Sequence, residues 1–79
     1  MGNILVIDDE EVLCKMMCRH IRNMKHDASY AISLAAGLEK LEASSFDVVL
    51  LDVQLPDGSG LGSIEAVRAT SANPEVIII

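Results

Sequence analysis

The residues of this chain best suited to chemistry are carboxylates, and they fall into two groups. Asp8 and Asp9 follow the run Asn3-Ile4-Leu5-Val6-Ile7 and lead into Glu10 and Glu11, whereas Asp52 follows Val48-Val49-Leu50-Leu51. Acids in the first turn of a helix are favoured by its dipole, by about 0.3–1 kcal/mol each, which accounts for the first group residue by residue. Four in a row exceed what capping needs, and an acid pair just past a buried strand also suits Mg2+, which takes one or two carboxylates and keeps several waters. Capping does not account for Asp52, because the next cap-forming residue in its loop is Ser59. An aspartate can act as a nucleophile, and Mg2+ neutralises charge on phosphoryl oxygens. Asp52 beside a cation held by Asp8 and Asp9 is therefore a candidate phosphoryl acceptor. Brought together, the three carboxylates repel one another unless a cation or a proton relieves them.

The surrounding pattern predicts the elements that would bring them together. Short, β-branched apolar runs read as strands buried on both faces: residues 3–7, Val48–Leu51, and Glu75-Val76-Ile77-Ile78-Ile79, with a weaker edge strand over Ala28–Ile32. Between them the spacing turns helical. Leu13, Met17, Ile21 and Met24 form a stripe within Glu11–Lys25, with Met16 and His20 beside it and Glu11 and Lys15 as an i,i+4 pair. Ser33 can cap a second helix over Leu34–Ala43, with Leu34, Leu38 and Leu41 on one face and a Gly37 that costs about 1 kcal/mol against Ala. Leu61, Ile64 and Val67 mark a third helix, capped by Ser59 or Ser63 and ending near Thr70–Pro74, after a loop punctuated by Pro56, Gly58 and Gly60. The order β-α-β-α-β-α-β implies right-handed crossovers and a parallel sheet with helices on both faces. The first and third strands then end side by side, at the sheet edge where ligands bind in open α/β folds, and Asp8, Asp9 and Asp52 surround one point.

Composition narrows the partners. Twelve acids against six bases give a net charge of −6, which argues against nucleic acid or an anionic membrane as a direct partner and fits a cation site. Half the residues are hydrophobic (51%) but aromatics are 3%, so the core of this single small domain must be aliphatic. Cys14 and Cys18 lie four apart in the first helix, where they read as small buried hydrophobes in a reducing compartment. A zinc site with His20 and His26 is the alternative, but the spacing matches no standard zinc pattern. With neither a signal peptide nor about 20 consecutive apolar residues for a membrane span, the expected location is the cytoplasm.

Three stretches together carry a resemblance: Ile4-Leu5-Val6-Ile7-Asp8-Asp9-Glu10, Val49-Leu50-Leu51-Asp52, and Leu55-Pro56-Asp57-Gly58-Ser59-Gly60. In type, order and spacing they resemble the receiver domain of two-component response regulators, and the last looks most like receivers fused to σ54-dependent transcriptional activators. The resemblance implies a flavodoxin-like, three-layer αβα fold with strand order 2-1-3-4. It implies that Asp52 is the phosphoacceptor, that Asp9 ligates Mg2+ directly and Asp8 through water, and that Gln54 lends its backbone carbonyl. It also implies a sensor histidine kinase as donor and an output domain, transcriptional in most such proteins, as recipient of the signal.

The family pattern runs past Ile79, so residues 1–79 are expected to be one partial receiver domain lacking the fifth strand and last two helices. The Thr or Ser after the fourth strand and the Lys ending the fifth, which hold the phosphoryl oxygens in the family, are absent from this sequence. An enzyme of the haloacid dehalogenase type would need a second aspartate two residues after Asp52 as acid and base; Gln54 stands there, so no enzyme activity is expected. The remaining alternative is an interaction module without phosphotransfer. In either case Val76–Ile79 would form a bare apolar edge, and a homodimer through edge pairing or strand exchange is expected.

Overall fold

A computed structural model describes residues 2–70 and 73–79, leaving the side chains of residues 59–61 undescribed. The elements are β1 (Asn3–Ile7), α1 (Glu11–Asn23), β2 (Asp27–Ala31), α2 (Leu34–Ala43), β3 (Val48–Leu51), β4 (Gln54–Leu55), β5 (Gly58–Ser59), α3 (Gly60–Arg68) and β6 (Glu75–Ile78). The main sheet has the order β2-β1-β3-β6, parallel throughout. This is the expected 2-1-3-4 order of the flavodoxin-like fold, with β6 as the fourth long strand. No helix among the described residues is long and apolar enough to cross a membrane.

Side chains alternate across a strand, and β1 distributes its residues accordingly. Leu5 and Ile7 enter a core with Leu41, Phe46, Val49, Leu51, Leu55 and Val67, against which α2 and α3 pack through Leu34, Leu38 and Ile64. Ile4 and Val6 face the other way, onto Cys14, Cys18, Ile21 and Ala28. Helices on both faces complete the three layers, and the core is aliphatic apart from Phe46.

The buried face of α1 keeps Ile21 and Met17 of the predicted stripe and the two cysteines expected to be buried, but not Leu13 or Met24. Leu13 and Met24 are 38% and 63% exposed, whereas Cys14 and Cys18 are fully buried with Ile21. The buried face is centred on Cys14 and Cys18 beside Ile21, and it presents two small side chains to Val6 and Ala28. It also lets the Cys14 thiol donate to the Asp8 carbonyl at 3.2 Å, a bond leucine cannot make. The helix stops two residues short of the predicted end, and Lys25 adopts a left-handed φ of 72° just beyond it.

Gly37 has a packing reason. A Cβ there would lie 2.5 Å from Ile7 Cδ1 and 2.9 Å from Ile7 Cγ1, so its absence lets α2 close on the end of β1. Ser33 caps α2 as predicted, accepting from Ala36 N–H at 3.1 Å.

The segment after Asp52, read as a loop from the sequence, contains a hairpin. Gln54–Leu55 pairs antiparallel with Gly58–Ser59 around a turn at Pro56 and Asp57. Ser63, one of the two predicted caps for α3, sits inside the helix and is buried, with no hydrogen-bond partner for its Oγ among the described residues. The capping side chain of Ser59 lies outside the described residues, as do Ser71 and Ala72 in the stretch predicted to end this helix.

Candidate functional site

Parallel register sets the site. Ile7 stands opposite both Ala31 and Leu51, so β1, β2 and β3 end level. Backbone bonds continue one residue further: Asp8 N–H donates to Ala31 O at 3.1 Å and Asp52 N–H to Ile7 O at 2.9 Å. Asp8 and Asp52 thus leave adjacent strands at the same level, and Asp9 follows Asp8 into the same space. The carboxylates of Asp8, Asp9 and Asp52 each offer an oxygen within 4.8 Å of the others. Asp8 is buried, Asp52 half-buried and Asp9 exposed, so the cluster opens to solvent on one side.

Local bonds orient two of the three groups. Asp8 Oδ1 accepts from Glu10 N–H at 3.0 Å, at the start of α1, and Asp52 Oδ1 accepts from Gln54 N–H at 3.0 Å. Each is a carboxylate bonding to the backbone two residues on, which fixes the side chain without neutralising it. All donors in the cluster are hard, anionic oxygens, the set that suits Mg2+ or Ca2+ rather than a thiophilic metal. The donor chemistry therefore fits the divalent cation expected from the sequence.

The other acids of the N-terminal tetrad go elsewhere. Glu10 caps α1 through its backbone, with no side-chain capping bond. Glu11 Oε2 accepts from the Tyr30 hydroxyl at 2.9 Å, and that bond raises the Tyr30 pKa above its ordinary value. Burial, reinforced by the nearby Asp8 charge, pushes the Cys14 thiol up to about 11, so it stays protonated at neutral pH. Cys18 is likewise raised by burial. His20 is exposed, and His26 Nδ1 accepts from Gly2 N–H at 2.8 Å.

Sequence reasoning missed Asp57. Pro-Asp-Gly reads as a turn, and Asp57 does occupy one, but its carboxylate reaches α2, accepting from Leu34 N–H at 2.8 Å and Ala35 N–H at 2.9 Å. These bonds hold its carboxyl below the usual range, Ala35 contributing first. No linear signal announces a partner 23 residues away; the one clue is that α2 carries no acid in its own first turn.

With this geometry in place, the chain can be set beside known proteins. A model of the response regulator receiver domain matches residues 4–79. The swarming motility regulation protein RssB of Serratia marcescens is 36% identical over 77 residues, a stretch covering 98% of this chain and 35% of that protein. This chain thus spans about a third of the curated relatives it matches. Among solved structures, a CheY-like response regulator receiver domain from Methanospirillum hungatei superposes with a TM-score of 0.91 at 23% identity, over 99% of this chain and 62% of that one. The response regulator TrrA of Thermotoga maritima, solved in complex with Mg2+-BeF, gives 0.87 at 26% identity over 99% and 68%.

Proposed function

This chain belongs to the response regulator receiver-domain family, and on that premise we propose that it is a phosphorylation-dependent switch whose phosphoacceptor is Asp52. A sensor histidine kinase is the donor. An Asp52 carboxylate oxygen attacks the phosphorus of the donor's phosphoimidazole, forming an acyl phosphate as the P–N bond breaks. The imidazole nitrogen leaves with the bonding pair and takes up a proton. Asp8, Asp9, Asp52 and the Gln54 backbone carbonyl would hold Mg2+, which when bound neutralises charge on the phosphoryl oxygens. The chain's own part is to present the Asp52 side chain, oriented by Gln54 N–H, within the cluster. It acts as a stoichiometric acceptor in the cytoplasm, not as a turnover enzyme, and passes its state to an output domain that regulates transcription.

The observation that carries this reading is the meeting of three carboxylates from two strand ends within 4.8 Å. Support comes from TrrA, 26% identical, which was solved with Mg2+-BeF. The test is mass spectrometry after incubation with acetyl phosphate and millimolar Mg2+. One phosphoryl adduct on Asp52, slow to accumulate in residues 1–79 and absent in Asp52→Asn, is the expected result. Labelling that persists in Asp52→Asn would overturn the assignment.

A second reading concerns assembly. β6 lies at the edge of the sheet, and Ile77, Ile78 and Ile79 are 51%, 44% and 44% exposed. An apolar strand edge is a template for pairing, so we infer that two copies associate through β6. Sedimentation across a wide concentration range should show a dimer. A folded monomer at the highest concentrations would remove this reading and leave phosphotransfer intact.

A further inference from the structure

The hairpin that carries Gln54 is too short to hold itself in place. It has two residues in each strand, and even longer isolated hairpins are marginal in water. Gln54 N–H meets Asp52 Oδ1 at 3.0 Å, and beyond the hairpin itself the segment is held by Leu55 in the core on one side of the turn and by Asp57 at the turn. We propose that Asp57 is a positioning residue for the Asp52 site: by binding the N-terminus of α2 it anchors the hairpin and so fixes Gln54 against the Asp52 carboxylate. The inference rests on reading Asp8, Asp9 and Asp52 as a cation site.

Two contacts make the anchor. Leu34 and Ala35 N–H lie in the first turn of α2, where amides have no partner within the helix. Ser33 serves Ala36, and both oxygens of Asp57 take the other two, at 2.8 and 2.9 Å. An anionic acceptor is the stronger partner for such donors and also meets the positive end of the helix dipole. Next to it, Gly58 passes so close to α2 that a Cβ would lie 2.5 Å from Leu34 Cδ2 and 3.0 Å from Ser63 Oγ. The hairpin is therefore pressed against α2 and α3 as well as hydrogen-bonded to α2.

The anchor is itself tied to the other half of the site. α2 rests on Ile7 through Gly37, and Ile7 immediately precedes Asp8. A closed path of contacts thus runs from the end of β1 through Gly37 and α2 to Asp57, along the hairpin to Gln54, and back to Asp52. Asp52 N–H closes it by donating to Ile7 O at 2.9 Å. Loss of Asp57 opens this ring at the exposed turn and loosens the hairpin there, while Leu55 keeps its place in the core and both strand ends keep their backbone bonds.

The test separates positioning from simple helix capping. Mg2+ affinity is measured by NMR titration of the 79-residue chain and of Asp57→Ala and Ser33→Ala, at a temperature where circular dichroism shows each folded. Both substitutions remove a cap from α2, but only one frees the hairpin. Asp57→Ala should weaken Mg2+ binding by about tenfold, the low end of what losing an outer-shell partner costs, whereas Ser33→Ala should lower Tm with the affinity unchanged. Equal affinities for parent and Asp57→Ala, or equal losses in the two variants, would overturn the positioning role. Should Asp57→Ala not fold, the parent decides: coupling is reciprocal, so saturating Mg2+ must shift the Leu34 and Ala35 amide resonances, and their silence counts against the proposal. A parent that binds Mg2+ no better than its Asp9→Asn variant overturns the cation-site reading, and the positioning role with it. Normal parental binding with no Asp57 effect overturns the positioning role alone.

Discussion

The two strand ends that form the candidate site are held by different means. At the end of β1, Asp8 is fixed within a few residues of chain: Glu10 N–H binds its carboxylate and the Cys14 thiol, six residues on, binds its carbonyl. At the end of β3, Asp52 is oriented by Gln54, whose hairpin is anchored on α2 through Asp57. One half of the site is local and the other depends on the assembled fold. Local unfolding starts where few buried contacts hold a segment, so the turn of the hairpin after β3, with Gln54, Pro56 and Asp57 exposed, should loosen before the end of β1.

The sharpest way to break this contrast is at Gly37, where α2 braces the better-held end. Gly37→Val places a branched side chain where a Cβ alone would lie 2.5 Å from Ile7 Cδ1. Overpacking of this kind costs about 1–3 kcal/mol, to be read from urea melts. Parental stability would mean that α2 does not bear on β1.

A smaller effect should appear in alkali. The folded Cys14 pKa, about 11 against 9.0 unfolded, is raised, so its contribution is complete below pH 9 and is lost as pH climbs through about 11. Stability should fall across that window by on the order of 1–2 kcal/mol, and Cys14→Ala should flatten part of the fall. Tyr30, also raised, contributes in the same direction. An identical slope in Cys14→Ala would assign the whole loss to Tyr30 and Cys18.

The smallest effect tests the site itself. At Mg2+ ten times its Kd, binding to the folded chain adds about 1.4 kcal/mol. Thermal melts should lose this increment in Asp9→Asn and keep it in Glu11→Gln, because Glu11 is turned toward Tyr30. Equal responses in the two variants would show that the cation is held by diffuse negative charge and not by the cluster.

Much of this was legible in the residues. Apolar runs of strand length alternating with helical stripes specify a parallel three-layer fold, because period and length are local properties of a chain. The parallel order then brings Asp8, Asp9 and Asp52 together, since each stands directly past a strand and the strands end level. The burial of Cys14, Cys18 and Ile21 on α1 was legible, but the exposure of Leu13 and Met24 was not. Leu13 and Cys14 are neighbours on the helix, and only the surface offered by Val6, Ala28 and the Asp8 carbonyl selects the cysteine. Gly37 reads as a weak point until Ile7, thirty residues earlier, is laid against it. Asp57 reads as a turn residue until folding brings the unpaired amides of α2 within 3 Å of it. Sequence alone determined the four long strands, the three helices and which carboxylates stand past the strand ends. Tertiary structure decided which neighbours hold those groups in place, because a side chain's partner depends on surfaces that exist only once distant segments have packed.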